Sequence, residues 1–153
     1  MKALIFDMDG VLVDVRASYL TAIKKTVENI SSQKVSDKDI QDLKDQGGFN
    51  NDWVVTKELL KIRGYDMSFE DIIDEFQSIY KGKNFDGLIN NETWLLDKVL
   101  IENLSKAYKL GIITGRPRPE TEHTLKINGM TQYFSSVITM DDQEEQKPDH
   151  KLL

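Results

Sequence analysis

Cysteine is absent from this chain, and that gap removes disulfide bonds, thiol nucleophiles and cysteine-bound zinc from consideration. Histidine is scarce: His123 and His150 stand apart, with no partner at metal-ligand spacing. No apolar run approaches the ~18 residues that a bilayer span needs. Basic residues are outnumbered, 20 Lys and Arg against 26 Asp and Glu, and they form no stripe interleaved with aromatics. The formal charge of −6 argues against polyanions, including nucleic acid, and against anionic membranes as partners. Nor does the start read as a secretory leader, because Met1-Lys2 passes straight into an apolar segment that Asp7 interrupts. A soluble, cytoplasmic protein is expected. With 153 residues, 39% apolar and 30% charged, there is material for one domain, or for a core with a small inserted subdomain.

What is present begins at once. Ala3-Leu4-Ile5-Phe6 reads as a strand, and it ends at Asp7-Met8-Asp9-Gly10, followed by Val11-Leu12-Val13-Asp14. Open α/β sheets place functional groups at the carboxyl ends of strands in this way. Two acids one residue apart project to the same side of an extended chain. There they can share a divalent cation and divide nucleophilic and acid/base work. A calcium loop opening at Asp7 does not fit, since its fifth position is Val11 and its twelfth is Ser18, where an oxygen ligand and a bidentate Glu are required. A strand end with two solvated acids and a glycine turn remains the plain alternative.

After this strand the pattern turns helical. From Val15 to Ile30, Tyr19, Leu20, Ile23, Val27 and Ile30 form one stripe at helical spacing. Ser36-Asp37-Lys38-Asp39 predicts a capped helix to about Asp45, closed by Gly47-Gly48. Asn50-Asn51-Asp52 can cap a third helix, and Ser68-Phe69-Glu70-Asp71 begins a fourth. The last part alternates: a helix from Trp94 to Ala107, a strand from Tyr108 to Thr114, a helix from Pro117 to Asn128 and a strand from Ser135 to Met140. That alternation predicts parallel βα units. The expected organisation is an α/β core of residues 1–14 and 88–153, with a helical insert, residues 15–87, as a cap over the sheet's carboxyl edge.

Two further motifs carry chemistry. Ile112-Ile113-Thr114-Gly115-Arg116-Pro117 offers a hydroxyl and successive N–H groups at a helix start, a ready anion site. Read alone, it is equally an ordinary threonine cap. Gln146-Lys147-Pro148-Asp149 holds a lysine suited to a phosphate's charge, or simply a surface lysine. Gly47-Gly48 with Asn50 and Asn51 gives the insert a loop with donors and acceptors for a polar substrate, although either asparagine could serve only as a helix cap. Arg116 and Arg118 could add positive charge at the rim of the pocket, or simply be solvated surface residues.

The order strand-DxD, helical insert, strand-Thr-Gly, strand, Lys-Pro resembles the haloacid dehalogenase-like (HAD) hydrolase superfamily, in its subgroup with a helical cap after the first motif. The Gly-Gly-Phe-Asn-Asn-Asp-Trp and Thr-Gly-Arg-Pro runs are similar to a small group within it, loosely linked to histidinol-phosphate-type phosphatases. The resemblance implies a Rossmann-like parallel sheet, of which three of the usual five or more strands are present here. It implies an Mg²⁺-dependent phosphatase of a small phosphorylated metabolite. Asp7 would attack phosphorus and form an aspartyl phosphate, while Asp9 protonates the leaving oxygen and then activates water. Thr114 and Gly115 would hold the phosphoryl oxygens, with Arg116, Asn50 and Asn51 on the substrate. Lys147 would neutralise charge, and Mg²⁺ would sit on Asp7 and the Asp9 carbonyl. A dehalogenase is disfavoured, since such members keep no acid at the position of Asp9. A phosphomutase shares the acids, but nothing here marks one.

By the same resemblance a fourth, acidic motif is expected well beyond Lys147, and the sequence stops at Leu153. Asp141 and Asp142 are poor substitutes: their strand would lie two places from the first, roughly 10 Å away, against metal–oxygen distances of about 2.1 Å. Asp14 is nearer but is expected to open the insert's first helix. The alternative reading is therefore an inactive or weakly active phosphate-binding remnant, or one subunit of a split enzyme. The first strand would then be an apolar sheet edge, expected to recruit a second copy or a complementing chain.

Overall fold

Short polar side chains mark where several helices of this protein begin. The computed structural model describes residues 2–49 and 51–142, and the chain divides into two compact units, Val15–Glu92 and the pair Met1–Asp14 with Thr93–Leu153. In the first of these, a π-helical turn at Arg16–Leu20 runs into α1 (Thr21–Ser31). Three more helices follow: α2 (Asp37–Lys44), α3 (Asp52–Ile62) and α4 (Phe69–Tyr80). Ser36 and Asp39 form a reciprocal capping box on α2. The Asn51 side chain accepts from the N–H groups of Trp53 and Val54, and Ser68 accepts from that of Asp71. Each cap satisfies first-turn donors that have no partner inside the helix.

The apolar stripes then meet. Ala22, Ile23 and Val27 of α1, Val55, Leu59 and Leu60 of α3, and Ile72, Phe76 and Tyr80 of α4 are buried in one cluster. Burying each larger side chain contributes about 1.5–3 kcal/mol, which outweighs the weak intrinsic preferences of single helices. Tyr19 stacks on Tyr80 with ring centroids 4.3 Å apart. The unit is tied where the chain enters and leaves it: the hydroxyls of buried Ser18 and Tyr80 both donate to Glu92 Oε1, at 2.9 Å each.

The other unit carries the sheet. Strand β1 (Ala3–Phe6) pairs in parallel with β4 (Lys109–Ile113), which pairs in parallel with β5 (Phe134–Ile138), giving the order β1-β4-β5. Helix α5 (Lys98–Ala107) precedes β4, and α6 (Arg118–Ile127) joins β4 to β5. The middle strand is buried along Leu110–Ile113, as a strand covered on both faces requires. Phe6 and Phe134, on the strands flanking it, meet edge to face at 6.0 Å. A Cβ at Gly111 would lie 2.9 Å from Ile5 Cδ1, the end of an exposed side chain that can shift to admit it.

The chain departs from the sequence expectations in three places. Asp14 does not open a helix: Val13–Asp14 is a short strand, β2, paired antiparallel with β3 (Thr93–Trp94). The helix expected from Trp94 therefore starts at Lys98, where Asp97 caps it through the N–H groups of Val99 and Leu100. The apolar spacing of Leu95, Leu96, Val99, Leu100 and Leu104 predicts an inner face that the helix does not have: Ile101 is buried, while Val99 and Leu100 are 61% and 47% exposed. Ladder hydrogen bonds at Trp94 and a well-placed cap at Asp97 override the apolar periodicity. Among the described residues, no helix is long and apolar enough to cross a membrane.

Candidate active site

Parallel pairing of β1 with β4 sets Phe6 beside Ile112, so the residues just past each strand emerge at one carboxyl edge. Asp7 follows β1 directly and Thr114 follows β4 directly. Beyond Asp7 the chain turns tightly around a single carbonyl. Met8 O accepts from the N–H groups of Val11, Leu12 and Val13, and the Gly10 N–H donates to Val13 O at 2.8 Å. Gly10 sits at φ +74°, in the left-handed region that glycine enters without steric cost. The Met8 side chain is buried, Asp7 is exposed and Asp9 is half-buried. The acids are thus i, i+2 neighbours around an inward-pointing residue, as an extended chain dictates. Asp7 Oδ1 accepts from the Met8 N–H at 2.8 Å.

Thr114 is buried, and its N–H extends the β4–β5 ladder by donating to Ile138 O at 2.9 Å. Its hydroxyl oxygen accepts from the Arg116 N–H at 3.2 Å, which leaves the hydroxyl proton available to another acceptor. Gly115 is exposed between them. Arg116 corrects the expectation made for it. Its side chain is 1% exposed, so it is no rim charge: Nε donates to Asp9 Oδ1 at 2.5 Å, and a terminal nitrogen donates to Thr124 Oγ1 at 3.3 Å. A guanidinium taken from water requires a counter-charge, and Asp9 provides one.

Arg118 is 38% exposed, and its side chain is engaged beside β5. Its guanidinium contacts Asp142 and donates to Val137 O at 3.2 Å, while its N–H donates to Asp141 Oδ2 at 2.5 Å. The Thr139 N–H and hydroxyl reach the same Asp142 oxygen at 2.8 Å each. The Thr139 N–H and hydroxyl, with the Arg118 guanidinium, hold the Asp142 carboxyl below the usual carboxylate range. Asp141 and Asp142 therefore fasten the turn after β5, two strands from β1, in keeping with the distance argument against them as metal ligands.

Of the remaining candidates, Asn51 has its side-chain oxygen engaged in capping α3. Asn50 and Lys147 lie outside the described residues. The structure thus brings Asp7, Asp9, Thr114, Gly115 and Arg116 to one edge. Among the described residues, no group of three acidic or histidine side chains converges as a metal cage. What sequence reasoning missed is the Arg116–Asp9 pair, whose members stand 107 positions apart with no local signal to connect them.

A parallel sheet with acids leaving one strand and a hydroxyl leaving its neighbour defines a Rossmann-like α/β protein that works at its carboxyl edge. The chain belongs to the haloacid dehalogenase-like hydrolase family, whose sequence model matches residues 4–153. It is 33% identical over 149 residues to an imidazoleglycerol-phosphate dehydratase of Phytophthora nicotianae, covering 93% of this chain and 33% of that protein. It is 23% identical to the pyrophosphatase PpaX of Bacillus mycoides, covering 97% of this chain and 64% of that one. The phosphatase Tt82 from Thermococcus thioreducens superposes with a TM-score of 0.78 at 28% identity, covering 99% of this chain and 77% of its own. The chain thus spans from a third to just under two-thirds of the length of these two curated relatives.

Proposed function

We propose that this chain carries the phosphoryl-transfer site of a phosphatase acting on a small phosphorylated metabolite. The observation that carries the reading is the convergence of Asp7, Asp9 and Thr114 at the carboxyl edge of two neighbouring parallel strands. Similarity to the phosphatase Tt82 and to the pyrophosphatase PpaX supports it. The dehydratase activity of the Phytophthora relative is not carried over, since the chain matches only 33% of that protein.

In this reading an Asp7 carboxylate oxygen attacks phosphorus as the bond to the leaving oxygen breaks, and Asp9 gives that oxygen its proton. Water then attacks the aspartyl phosphate, Asp9 takes its proton, and inorganic phosphate leaves with Asp7 restored. The Thr114 hydroxyl and the Gly115 N–H hold the phosphoryl oxygens, and Lys147 supplies further positive charge. The described donors are hard carboxylate and carbonyl oxygens, which suit Mg²⁺: it binds one or two carboxylates and completes its shell with water and substrate phosphate. Asp7 and the Asp9 carbonyl would hold it. When bound, it supplies neutralisation of charge building on the phosphoryl oxygens. The helical unit would select the substrate, with Asn50 and the amide nitrogen of Asn51, whose oxygen caps α3, as its polar contacts, in a cytoplasmic enzyme.

The test is hydrolysis of p-nitrophenyl phosphate with Mg²⁺ and after chelation, beside Asp7→Asn. Turnover that exceeds that variant and falls on chelation is the expected result. Wild-type turnover equal to the variant's overturns the reading and favours a phosphate-binding remnant or a split-enzyme subunit.

We further propose that β1 takes a partner strand. Among the described residues it lies at the sheet edge, and Ile5 is 51% exposed. Light scattering is expected to show a mass that rises to a dimer with concentration. A monomer at every concentration overturns self-association, and a complementing chain then becomes the partner to seek.

A further inference from the structure

We propose that Arg116 is a positioning residue that fixes Asp9 and Thr114 relative to each other, rather than a ligand of the substrate. The proposal rests on the phosphatase reading above and assigns that site a residue the reading does not need. Arg116 is the largest fully buried side chain among the described residues, yet it carries a charge. It reaches both motifs at once. Its Nε holds Asp9 Oδ1 at 2.5 Å, and its own N–H holds Thr114 Oγ1 at 3.2 Å. It is anchored in turn: a terminal nitrogen donates to the buried hydroxyl of Thr124 at 3.3 Å, and its carbonyl accepts from the Met140 N–H at 3.0 Å.

The exposures divide the labour. The Asp9 side chain is 37% exposed and the Arg116 side chain 1%, so the acid faces solvent and the guanidinium stands behind it. With Oδ1 held, the carboxylate cannot swing freely about its side-chain torsions, and that fixes where it meets the leaving oxygen or the water. With Thr114 Oγ1 accepting from the backbone, its proton is directed elsewhere, toward a phosphoryl oxygen. One residue thereby aligns a proton carrier from β1 with a phosphate donor from β4. Misplacing a reacting group by about 1 Å costs on the order of 10²-fold in rate, so such alignment is catalytically consequential.

The test uses Arg116→Met, which removes the charge and keeps much of the volume, and Arg116→Lys, which keeps the charge without the planar fork. Losses of supporting residues of this kind run to roughly 10–100-fold, and kcat of Arg116→Met on p-nitrophenyl phosphate is expected to fall by that much. Binding of inorganic phosphate, followed by calorimetry, is expected to stay within about twofold, because uniform binding is untouched. Weakened phosphate binding with kcat preserved would make Arg116 a ligand and overturn the proposal. So would no change in either quantity.

A second arm needs no turnover. The fall in melting temperature caused by Arg116→Met is expected to shrink by at least half in an Asp9→Asn background, since contacting partners couple. Additive losses overturn the pairing. If Arg116→Met does not fold, Arg116→Lys enters the same arms, with Thr124→Val removing one of its anchors. Wild type that hydrolyses nothing beyond Asp7→Asn refutes the phosphatase reading, while the melting arm still decides whether Arg116 holds Asp9.

Discussion

Asp7→Asn is expected to lower kcat for p-nitrophenyl phosphate on the order of 10⁴-fold or more, the scale seen when a covalent nucleophile is removed. The substitution keeps shape and removes the anion: a neutral amide oxygen is a poor nucleophile, and the negative charge that draws Mg²⁺ is lost with it. Folding is expected to be preserved. Asp7 is exposed, and the local N–H of Met8 that its Oδ1 accepts is one an asparagine oxygen can also accept. Exposed substitutions of this kind change stability by about ±0.5 kcal/mol. Steady-state kinetics beside a thermal melt checks both halves. An Asp7→Asn protein that melts like wild type and still turns over at its rate would remove Asp7 from the chemistry.

Phe76→Ala is expected to cost about 3–5 kcal/mol, the range for truncating a buried aromatic. Phe76 is fully buried on α4, with ring centroids 6.1 Å from Tyr19 and 6.0 Å from Tyr80. Its removal therefore opens a cavity between rings that cannot collapse without disturbing the Tyr80–Glu92–Ser18 contacts. Against a total stability of roughly 5–15 kcal/mol for a domain, such a loss leaves little margin. Urea unfolding followed by far-ultraviolet circular dichroism measures it, with Phe69→Ala as the reference, because Phe69 on the same helix is 38% exposed. Equal losses from the two substitutions would contradict the packing of α4.

The legible parts of this protein are local in origin. Ser36, Asn51 and Ser68 cap helices because a short side chain reaches an N–H two or three residues ahead. The stripe from Tyr19 to Ile30 packs inward because helical spacing is fixed by backbone geometry. The strand ending at Asp7 and the strand ending before Thr114 can be read from their apolar runs and the polar turns that follow. The start of α5 could not, because β3 exists only where the chain at Val13–Asp14 returns to pair with it.

The same division runs through the site. The sequence by itself determined which groups are on hand for chemistry: two acids around a buried methionine, a glycine that permits the turn, and a threonine at a strand's end. Their types and spacing are encoded within a few residues. Only the tertiary structure decided how they are used. Parallel pairing of β1 with β4 brings Asp7 and Thr114 to one edge, and the register Phe6 to Ile112 carries no local mark. Burial then turned Arg116 from an expected rim charge into the partner of Asp9, and helix capping engaged the Asn51 oxygen that the sequence left open for a substrate. A guanidinium's surroundings depend on which distant acid the fold delivers, and that is a property of topology rather than of neighbouring residues.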